Sequence, residues 1–257
     1  MKPTFQKEHP ILTDMIIVET AAECIVHTRM GLYDGAEAFG LQMERLNHDA
    51  RTPEALRKMF EYMEDKPIYV TNYRGGQNQG MTEEERMEEL KRALLCGATL
   101  IDIPADTFDP TPGELTNNPA AVGRQRRLID EIHEAGGEVL MSSHVFKYQP
   151  YEKVLDILSA QQERGADVVK IVTGSSTEDE LWSNLEITRR LKQDLRAPYL
   201  FLSGGAYCKL HRAIGPYLGC CMWLCVDAYD TYSSKEQPLL RAMSSVRRNL
   251  ELTPNVR

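Results

Sequence analysis

The sequence has no long hydrophobic run and no tract of basic residues. A membrane-spanning helix needs roughly 20 consecutive apolar residues, and since no such run occurs we expect no membrane span. Residues 1–8 lack the apolar core of a secretory signal, so we expect a cytoplasmic protein. With 38 acidic and 30 basic residues, the chain has a net charge of −8, which argues against a nucleic-acid or anionic-membrane partner.

The usual metal and nucleotide motifs are also missing. The sequence has no His-x-His pair, His-Glu-x-x-His segment, Gly-x-Gly-x-x-Gly turn or Walker-type loop, so we expect no metal and no cofactor. Its six cysteines include no Cys-x-x-Cys pair, and in a cytosolic chain we expect them to be reduced. By residue type alone, Cys220, Cys221, Cys225 and His211 could bind zinc, but their spacing matches no usual zinc pattern.

What the chain does contain is a repeated alternation of short apolar segments and longer amphipathic segments. The former predict strands and the latter predict helices, and eight such pairs occur in 257 residues. We therefore predict an α/β fold, a single (β/α)8 TIM barrel over residues 1–257 with an extension at 1–14, and a doubly wound sheet as the alternative. The predicted strands are 15–19, 38–43, 67–71, 99–103, 138–143, 166–173, 198–202 and 222–226.

Two of the predicted helices have clear N-terminal signals. Thr52 followed by Pro53 is typical of an N-cap residue and a proline at the first helical position. Thr82 with Glu85 has the spacing of a capping box.

A lysine interrupts the apolar run 166–173. Lys170 lies in the middle of this predicted strand, and lysine is rarely buried without a partner or a chemical role. A desolvated lysine loses affinity for its proton, and the neutral amine attacks ketones and aldehydes. The sequence is consistent with a Schiff-base lysine and also with a lysine whose stem packs while its ammonium group reaches water.

Other polar residues follow the predicted strands, where a barrel of this kind carries its active site. His144 comes directly after the fifth strand, beside the strand of Lys170, and a histidine there could remove a proton and later return it. Either of two arginines could bind a carboxylate, and two residues of the last loop could orient a substrate. These four residues are Arg74, Arg212, Ser233 and Gln237.

In their order and spacing these residues resemble the type I 3-dehydroquinate dehydratase family. The likeness is stronger from residue 99 onward. The segments that carry it are 73–74, 140–146, 169–171, 209–212 with Gly219, and the pair Ser233 and Gln237. The resemblance implies a homodimeric lyase without a cofactor, which converts 3-dehydroquinate to 3-dehydroshikimate and water or acts on a related small anionic or polyhydroxylated keto substrate.

The resemblance also implies a role for each candidate residue. Lys170 would form the imine with the substrate ketone. His144 would act first as general base and then as general acid while water leaves. A substrate carboxylate would be held by Arg212, Ser233 and Gln237, and substrate hydroxyls would contact Arg74.

Three positions depart from the family pattern. Pro104 stands where the resemblance implies a glutamate that pairs with the catalytic histidine, and either Asp102 or Asp106 could replace that carboxylate. Gly40 and Gln42 stand where it implies a glutamate and an arginine that contact substrate. We expect the glycine to enlarge that side of the pocket, and the changed contacts leave the substrate open.

Two other functions remain open from the sequence. A Schiff-base aldolase would use the same lysine and histidine but cleave a carbon–carbon bond. A barrel without activity could instead serve as a binding or regulatory subunit, and the three departures from the family pattern motivate that alternative.

Overall fold

A computed structural model describes residues 4–250 of the chain. Within that range eight parallel strands alternate with eight α-helices, and the strands form one nearly closed sheet. The fold is a (β/α)8 TIM barrel, which confirms the predicted fold class. Part of the extension predicted at residues 1–14 lies outside the described residues, because these begin at Thr4.

The strands and helices are bounded as follows. The strands are β1 (Ile11–Ile16), β2 (Ala38–Gln42), β3 (Ile68–Thr71), β4 (Leu100–Pro104), β5 (Glu138–His144), β6 (Val168–Gly174), β7 (Tyr199–Gly204) and β8 (Met222–Cys225). The α-helices are α1 (Ala21–Asp34), α2 (Pro53–Tyr62), α3 (Glu83–Cys96), α4 (Pro119–Glu134), α5 (Tyr151–Glu163), α6 (Glu178–Asp194), α7 (Cys208–Leu218) and α8 (Leu240–Leu250).

The sheet closes between the first and the last strand. From β1 to β7 each strand pairs in parallel with the next one along the chain, and β8 pairs with β1. Ile11 is opposite Met222 in that last pairing. The strands β7 and β8 stand at the two ends of this order and do not pair with each other. Near their starts, the backbone N–H of Cys221 donates to the carbonyl of Tyr199 at 2.9 Å and links the two strands.

The first strand begins at Ile11, whereas the sequence predicted it at 15–19. Residues assigned to an extension, Thr13 and Asp14 among them, are therefore buried in the barrel wall. Their polar side chains concealed the strand in the sequence. Burial, followed by the charge of Asp227, raises the pKa of Asp14 well above its usual value.

The predicted helix starts at α2 and α3 are confirmed. Thr52 accepts a hydrogen bond from the backbone N–H of Ala55, and Pro53 is the first helical residue. Thr82 and Glu85 form a reciprocal capping box. These caps satisfy backbone donors that a helix leaves free at its first turn.

Residues before β1 cover the end of the barrel at which the strands begin. The ring of buried Phe5 packs edge-on against Tyr69, with 6.4 Å between ring centroids. The backbone N–H of Phe5 donates to Glu138, the first residue of β5, at 2.9 Å. The opposite end of the barrel, where the strands finish, carries an open cavity. Among the described residues, no helix is both long and apolar enough to cross a membrane.

Candidate active site

A cavity of about 380 Å³ opens at the carboxyl ends of the strands. It brings together five residues that the sequence singled out for chemistry. These are Arg74, His144, Lys170, Arg212 and Gln237. They come from five different β/α units, and the barrel topology is what places them around one space.

Lys170 lies deep in this cavity, on β6. Its side chain is 5% exposed, and its ammonium nitrogen is 2.7 Å from the hydroxyl of Tyr73 and 3.1 Å from that of Tyr69. The same nitrogen is 3.3 Å from the Asp102 carboxylate. The lysine is thus buried with polar partners, so the alternative in which its ammonium group reaches water is wrong.

Asp102 is the centre of the hydrogen bonds around Lys170. One of its oxygens accepts from the hydroxyls of Tyr69 and Tyr73, and the other accepts from Ser142 at 2.5 Å. Burial, and then the Asp102 charge, raise the pKa values of both tyrosines well above the usual range, so both hydroxyls keep their protons. We call these five residues the floor cluster.

His144 is the last residue of β5, and its ring is oriented by Glu114. The ring Nδ1 is 2.7 Å from a Glu114 carboxylate oxygen, which also accepts the His144 backbone N–H at 3.0 Å. A carboxylate on Nδ1 favours the tautomer that carries its hydrogen there, which leaves Nε2 as the basic nitrogen. The hydroxyl of Ser143 donates to the Glu114 carbonyl at 2.7 Å and so fixes the loop.

Aromatic rings hold His144 from two sides. Tyr73 meets it edge-on at 5.0 Å between centroids, and Phe146 stacks on it at 5.8 Å. Glu114 and Phe146 both have positive φ angles, +52° and +56°. Residues other than glycine rarely adopt this conformation, and such strain is often found where side chains are fixed for function.

Arg212 and Glu236 form an ion pair at the edge of the cavity. Arg212 is buried on α7, where its Nε donates to the carbonyl of Ser203 at 2.8 Å and one terminal nitrogen lies 3.2 Å from the Glu236 carboxylate. Burial lowers the pKa of Arg212, and the Glu236 charge opposes that shift. Glu236 comes from the loop after β8.

Arg74 is a partly exposed arginine held by two carboxylates. It contacts Glu83 at 2.7 Å and Asp106 at 2.8 Å. Although burial alone would lower it, hydrogen bonds to Glu83 and then to Asp106 raise the pKa of Arg74. All three of its guanidinium nitrogens thus donate to Glu83 or Asp106, while the residue also lines the cavity.

The last βα loop contributes one of its two predicted residues directly. Gln237 lines the cavity, and its side-chain oxygen is buried without a hydrogen-bond partner among the described residues. The hydroxyl of Ser233 instead accepts the backbone N–H of Asp230 at 2.8 Å, within its own loop. The serine from this loop that lines the cavity is Ser234.

The structure corrects two expectations about the departures from the family pattern. Within residues 4–250, the carboxylate bonded to His144 is that of Glu114 rather than Asp102, which serves Lys170, or Asp106, which binds Arg74. Gly40 does not enlarge the pocket. A Cβ atom at Gly40 would lie 2.1 Å from the Met15 sulfur, so the methionine fills that space.

Sequence reasoning missed several residues of this site. Tyr69, Glu114 and Glu236 were not predicted, and Tyr73 was noted only as the neighbour of Arg74. Glu114 lies in a polar loop with no periodic pattern, 30 positions from the histidine it contacts. A tyrosine inside a buried strand was the one available signal for Tyr69, which reaches Lys170 from β3, three strands away.

The zinc site left open for Cys220, Cys221, Cys225 and His211 has no support in the geometry. The ring nitrogens of His211 lie 2.8 Å from the Thr188 hydroxyl and 2.9 Å from the Ser203 hydroxyl. Both nitrogens are thus engaged by hydroxyl groups. In the described part of the chain, no group of three or more potential ligands could hold a metal ion.

A buried lysine beside a histidine–carboxylate pair, in the mouth of a (β/α)8 barrel, defines the class of Schiff-base lyases. A model of the type I 3-dehydroquinase family matches residues 15–224. The chain therefore belongs to the type I 3-dehydroquinase family, and with it to the carbon–oxygen lyases that dehydrate through a Schiff base.

Individual relatives agree with this assignment. A 3-dehydroquinate dehydratase of Klebsiella pneumoniae subsp. pneumoniae is 28% identical over 229 residues, which span 85% of this chain and 85% of that protein. One from Clostridium novyi is 27% identical over 178 residues, 68% of this chain and 66% of that protein. The matched part thus covers slightly less than two thirds of the Clostridium novyi protein.

Solved structures share the fold. The 3-dehydroquinate dehydratase of Geobacillus kaustophilus has a TM-score of 0.79 and 14% identity, covering 95% of this chain and 93% of that chain. The type I enzyme of Clostridium difficile, solved with covalently modified comenic acid, has a TM-score of 0.79, 19% identity and the same 95% and 93% coverage.

Proposed function

We propose that the protein dehydrates a cyclic β-hydroxy ketone through an imine on Lys170, with 3-dehydroquinate as the first substrate to test. The observation that supports this most directly is the position of buried Lys170 in the same cavity as the His144–Glu114 pair. Imine formation needs an amine nucleophile. Water loss needs a group that removes one proton and returns it, and the two parts of the site match these needs.

The first step is attack of the Lys170 amine on the substrate carbonyl carbon. The ammonium group must first release a proton, and Tyr73 links its nitrogen to the Asp102 carboxylate through contacts of 2.7 and 2.5 Å. The carbinolamine then loses water and becomes a protonated imine. The positive nitrogen draws electrons from the neighbouring carbon and makes its C–H bond acidic.

In the second step, Nε2 of His144 removes that proton, and the electron pair forms an enamine. The enamine returns its electrons to the ring as the β-carbon–oxygen bond breaks, and His144 gives the proton to the departing hydroxyl so that water leaves. Glu114 stabilises the imidazolium that exists between these two events. Addition of water to the conjugated imine and release of Lys170 then complete the cycle.

Borohydride trapping tests the proposal. The wild type is incubated with 3-dehydroquinate and with other cyclic β-hydroxy ketones, reduced, and mapped by peptide mass spectrometry. We expect a reduced adduct on Lys170, loss of that adduct in Lys170→Ala, and retention in Lys153→Ala, whose lysine is exposed on α5. An adduct spread over surface lysines, unchanged in Lys170→Ala, would contradict the assignment.

Product analysis separates dehydration from the aldolase alternative. Dehydration yields an unsaturated ketone of unchanged carbon number, whereas an aldolase would release a shorter carbonyl fragment. The inactive-barrel alternative predicts that Lys170→Ala alters no measurable turnover. We further propose, from the family resemblance, that the enzyme is a cytoplasmic homodimer, and sedimentation velocity would measure its oligomeric state.

A further inference from the structure

The contacts of Glu236 resemble those that a bound substrate carboxylate would make. One oxygen is 3.2 Å from Arg212, and the other accepts the backbone N–H of Gly205 at 2.8 Å. A buried guanidinium and a backbone N–H that converge on one carboxylate form a carboxylate-binding site. Here the carboxylate belongs to the chain itself.

Gly204 and Gly205, at the end of β7, leave room for the Glu236 carboxylate. A Cβ atom at Gly204 would lie 2.9 Å from a Glu236 oxygen, so any side chain there would displace the carboxylate. Gly205 has a φ angle of +97°, a conformation that favours glycine, and its N–H points at Glu236. The site is thus fitted to Glu236 by backbone as well as by charge.

The other cations of the cavity are also neutralised from within the chain. The lysine and arginine residues that line it, within residues 4–250, are Arg74, Lys170 and Arg212. Arg74 pairs with Asp106 and Glu83, and Lys170 lies beside Asp102. An incoming carboxylate would therefore have to displace an internal one before it gained a cationic partner.

An uncharged polar group can bind next to Glu236 without displacing it. The Glu236 side chain is 39% exposed, so its carboxylate can still accept a hydrogen bond from a ligand. A hydroxyl or amide group can donate to this carboxylate, whereas an ionised carboxylate can only accept. The side-chain oxygen of Gln237 also lacks a partner in the described part of the chain, but it is fully buried and therefore closed to a ligand.

We propose that Glu236 is a specificity-determining residue, which fills the carboxylate subsite of Arg212 and selects a β-hydroxy ketone with an uncharged hydroxyl or amide there. This inference rests on the proposed function, because it narrows the substrate class of the same cavity. Removing the Glu236 charge vacates or weakens the internal contact and admits a substrate carboxylate to Arg212.

Equilibrium binding of quinate and quinamide tests this without imine chemistry, since neither compound has a ketone. The pair differs only in carboxylate against carboxamide. Isothermal titration should show quinamide binding the wild type at least about tenfold more tightly than quinate. In Glu236→Gln the ratio should shift toward quinate by about tenfold or more, and further in Glu236→Ala.

A matched control removes the same charge elsewhere. Glu178 is exposed on α6 and does not line the cavity, so Glu178→Gln should leave the ratio unchanged. Three results would each overturn the inference. The wild type would bind quinate more tightly than quinamide, Glu236→Gln would leave the ratio of the two affinities unchanged, or neither compound would bind to any variant.

Trapping on Lys170 then separates the two proposals. If quinamide is preferred but neither 3-dehydroquinate nor its carboxamide gives a borohydride adduct, the Schiff-base proposal fails and the role of Glu236 stands. If both ketones give adducts, the ratio of their trapping rates is compared between the wild type and Glu236→Gln. An unchanged ratio means that the role of Glu236 fails and the Schiff-base proposal stands.

Discussion

The floor of the cavity and its rim are built in different ways. The floor cluster comes from β3 to β6 and from Tyr73 just beyond β3, and Asp102 ties it together through short hydrogen bonds. The rim consists of loop residues that pair with strand or helix residues: Glu114 with His144, and Glu236 with Arg212. In the proposed mechanism the floor supplies the amine, and the rim supplies proton transfer and substrate selection.

This difference indicates that residues of the rim can be replaced by residues from other positions more easily than residues of the floor. The positions on strands are fixed by register, since Ser142 on β5 lies opposite Lys170 on β6 and the two share the partner Asp102 through their side chains. Loop residues carry no such constraint. A carboxylate for His144 can thus come from Glu114 even though Pro104 occupies the place where a glutamate was expected.

The largest effect is expected when His144, a residue of the rim, is replaced. His144→Gln should lower kcat by about 10²- to 10⁴-fold, because the enamine and water-loss steps lose their proton carrier. The floor remains intact, so borohydride should still trap substrate on Lys170. Stopped-flow kinetics and peptide mapping of the same samples measure both. Equal loss of turnover and adduct would show that floor and rim do not act separately.

A smaller loss is expected when only the orientation of the histidine is disturbed. Glu114→Gln should lower kcat by about 10²-fold with little change in KM, since the amide no longer stabilises the imidazolium. Asp106→Asn is the matched variant, because Asp106 binds Arg74 instead. It should act mainly on KM. If Asp106→Asn reduced kcat more than Glu114→Gln did, Glu114 would not be the partner of the histidine in catalysis.

Within the floor, Tyr73→Phe should slow imine formation by about tenfold. The change removes the hydroxyl that lies 2.7 Å from the Lys170 nitrogen but keeps the ring against His144. Tyr69→Phe should have a weaker effect, since its hydroxyl is 3.1 Å away. Single-turnover trapping with borohydride measures the rate. A greater loss with Tyr69→Phe would reverse the roles assigned to the two tyrosines.

The smallest expected effect is on the free energy of unfolding, and it comes from His211, the neighbour of Arg212 in the chain. His211 is buried, and burial lowers its pKa to about 3. The unfolded histidine titrates near pH 6.5, so the unfolded state binds the extra proton between these values and stability falls as pH drops below about 6.5. At pH 5 the loss is about 2 kcal/mol.

Urea unfolding at pH 7 and pH 5 measures this loss. His211→Gln should make the free energy of unfolding less dependent on pH over that interval, even if the variant is less stable at both values. An unchanged pH dependence in the variant would assign the acid sensitivity to other groups.

The sequence predicted one chemical residue of the floor, Lys170, and two residues of the rim, His144 and Arg212, but not the partners that hold them. Lys170 was visible because a lysine inside an apolar strand is unusual, and His144 because it ends the neighbouring strand. Asp102 was noticed but assigned to the wrong partner, since sequence gives the strand but not which neighbour its carboxylate reaches. Glu114 and Glu236 depend on the path of irregular loops, including a positive φ angle at Glu114, and no periodic pattern encodes that path.

The pairing of β1 with β8 has a consequence for how the chain is made. Ile11 leaves the ribosome well before its partner Met222 is synthesised. Until then the edge of β1 has no strand beside it, and exposed edges of this kind promote association between chains. A nascent or prematurely terminated chain that lacks β8 therefore presents two open sheet edges, at β1 and at β7, and we expect it to associate with other chains more readily than the closed barrel does.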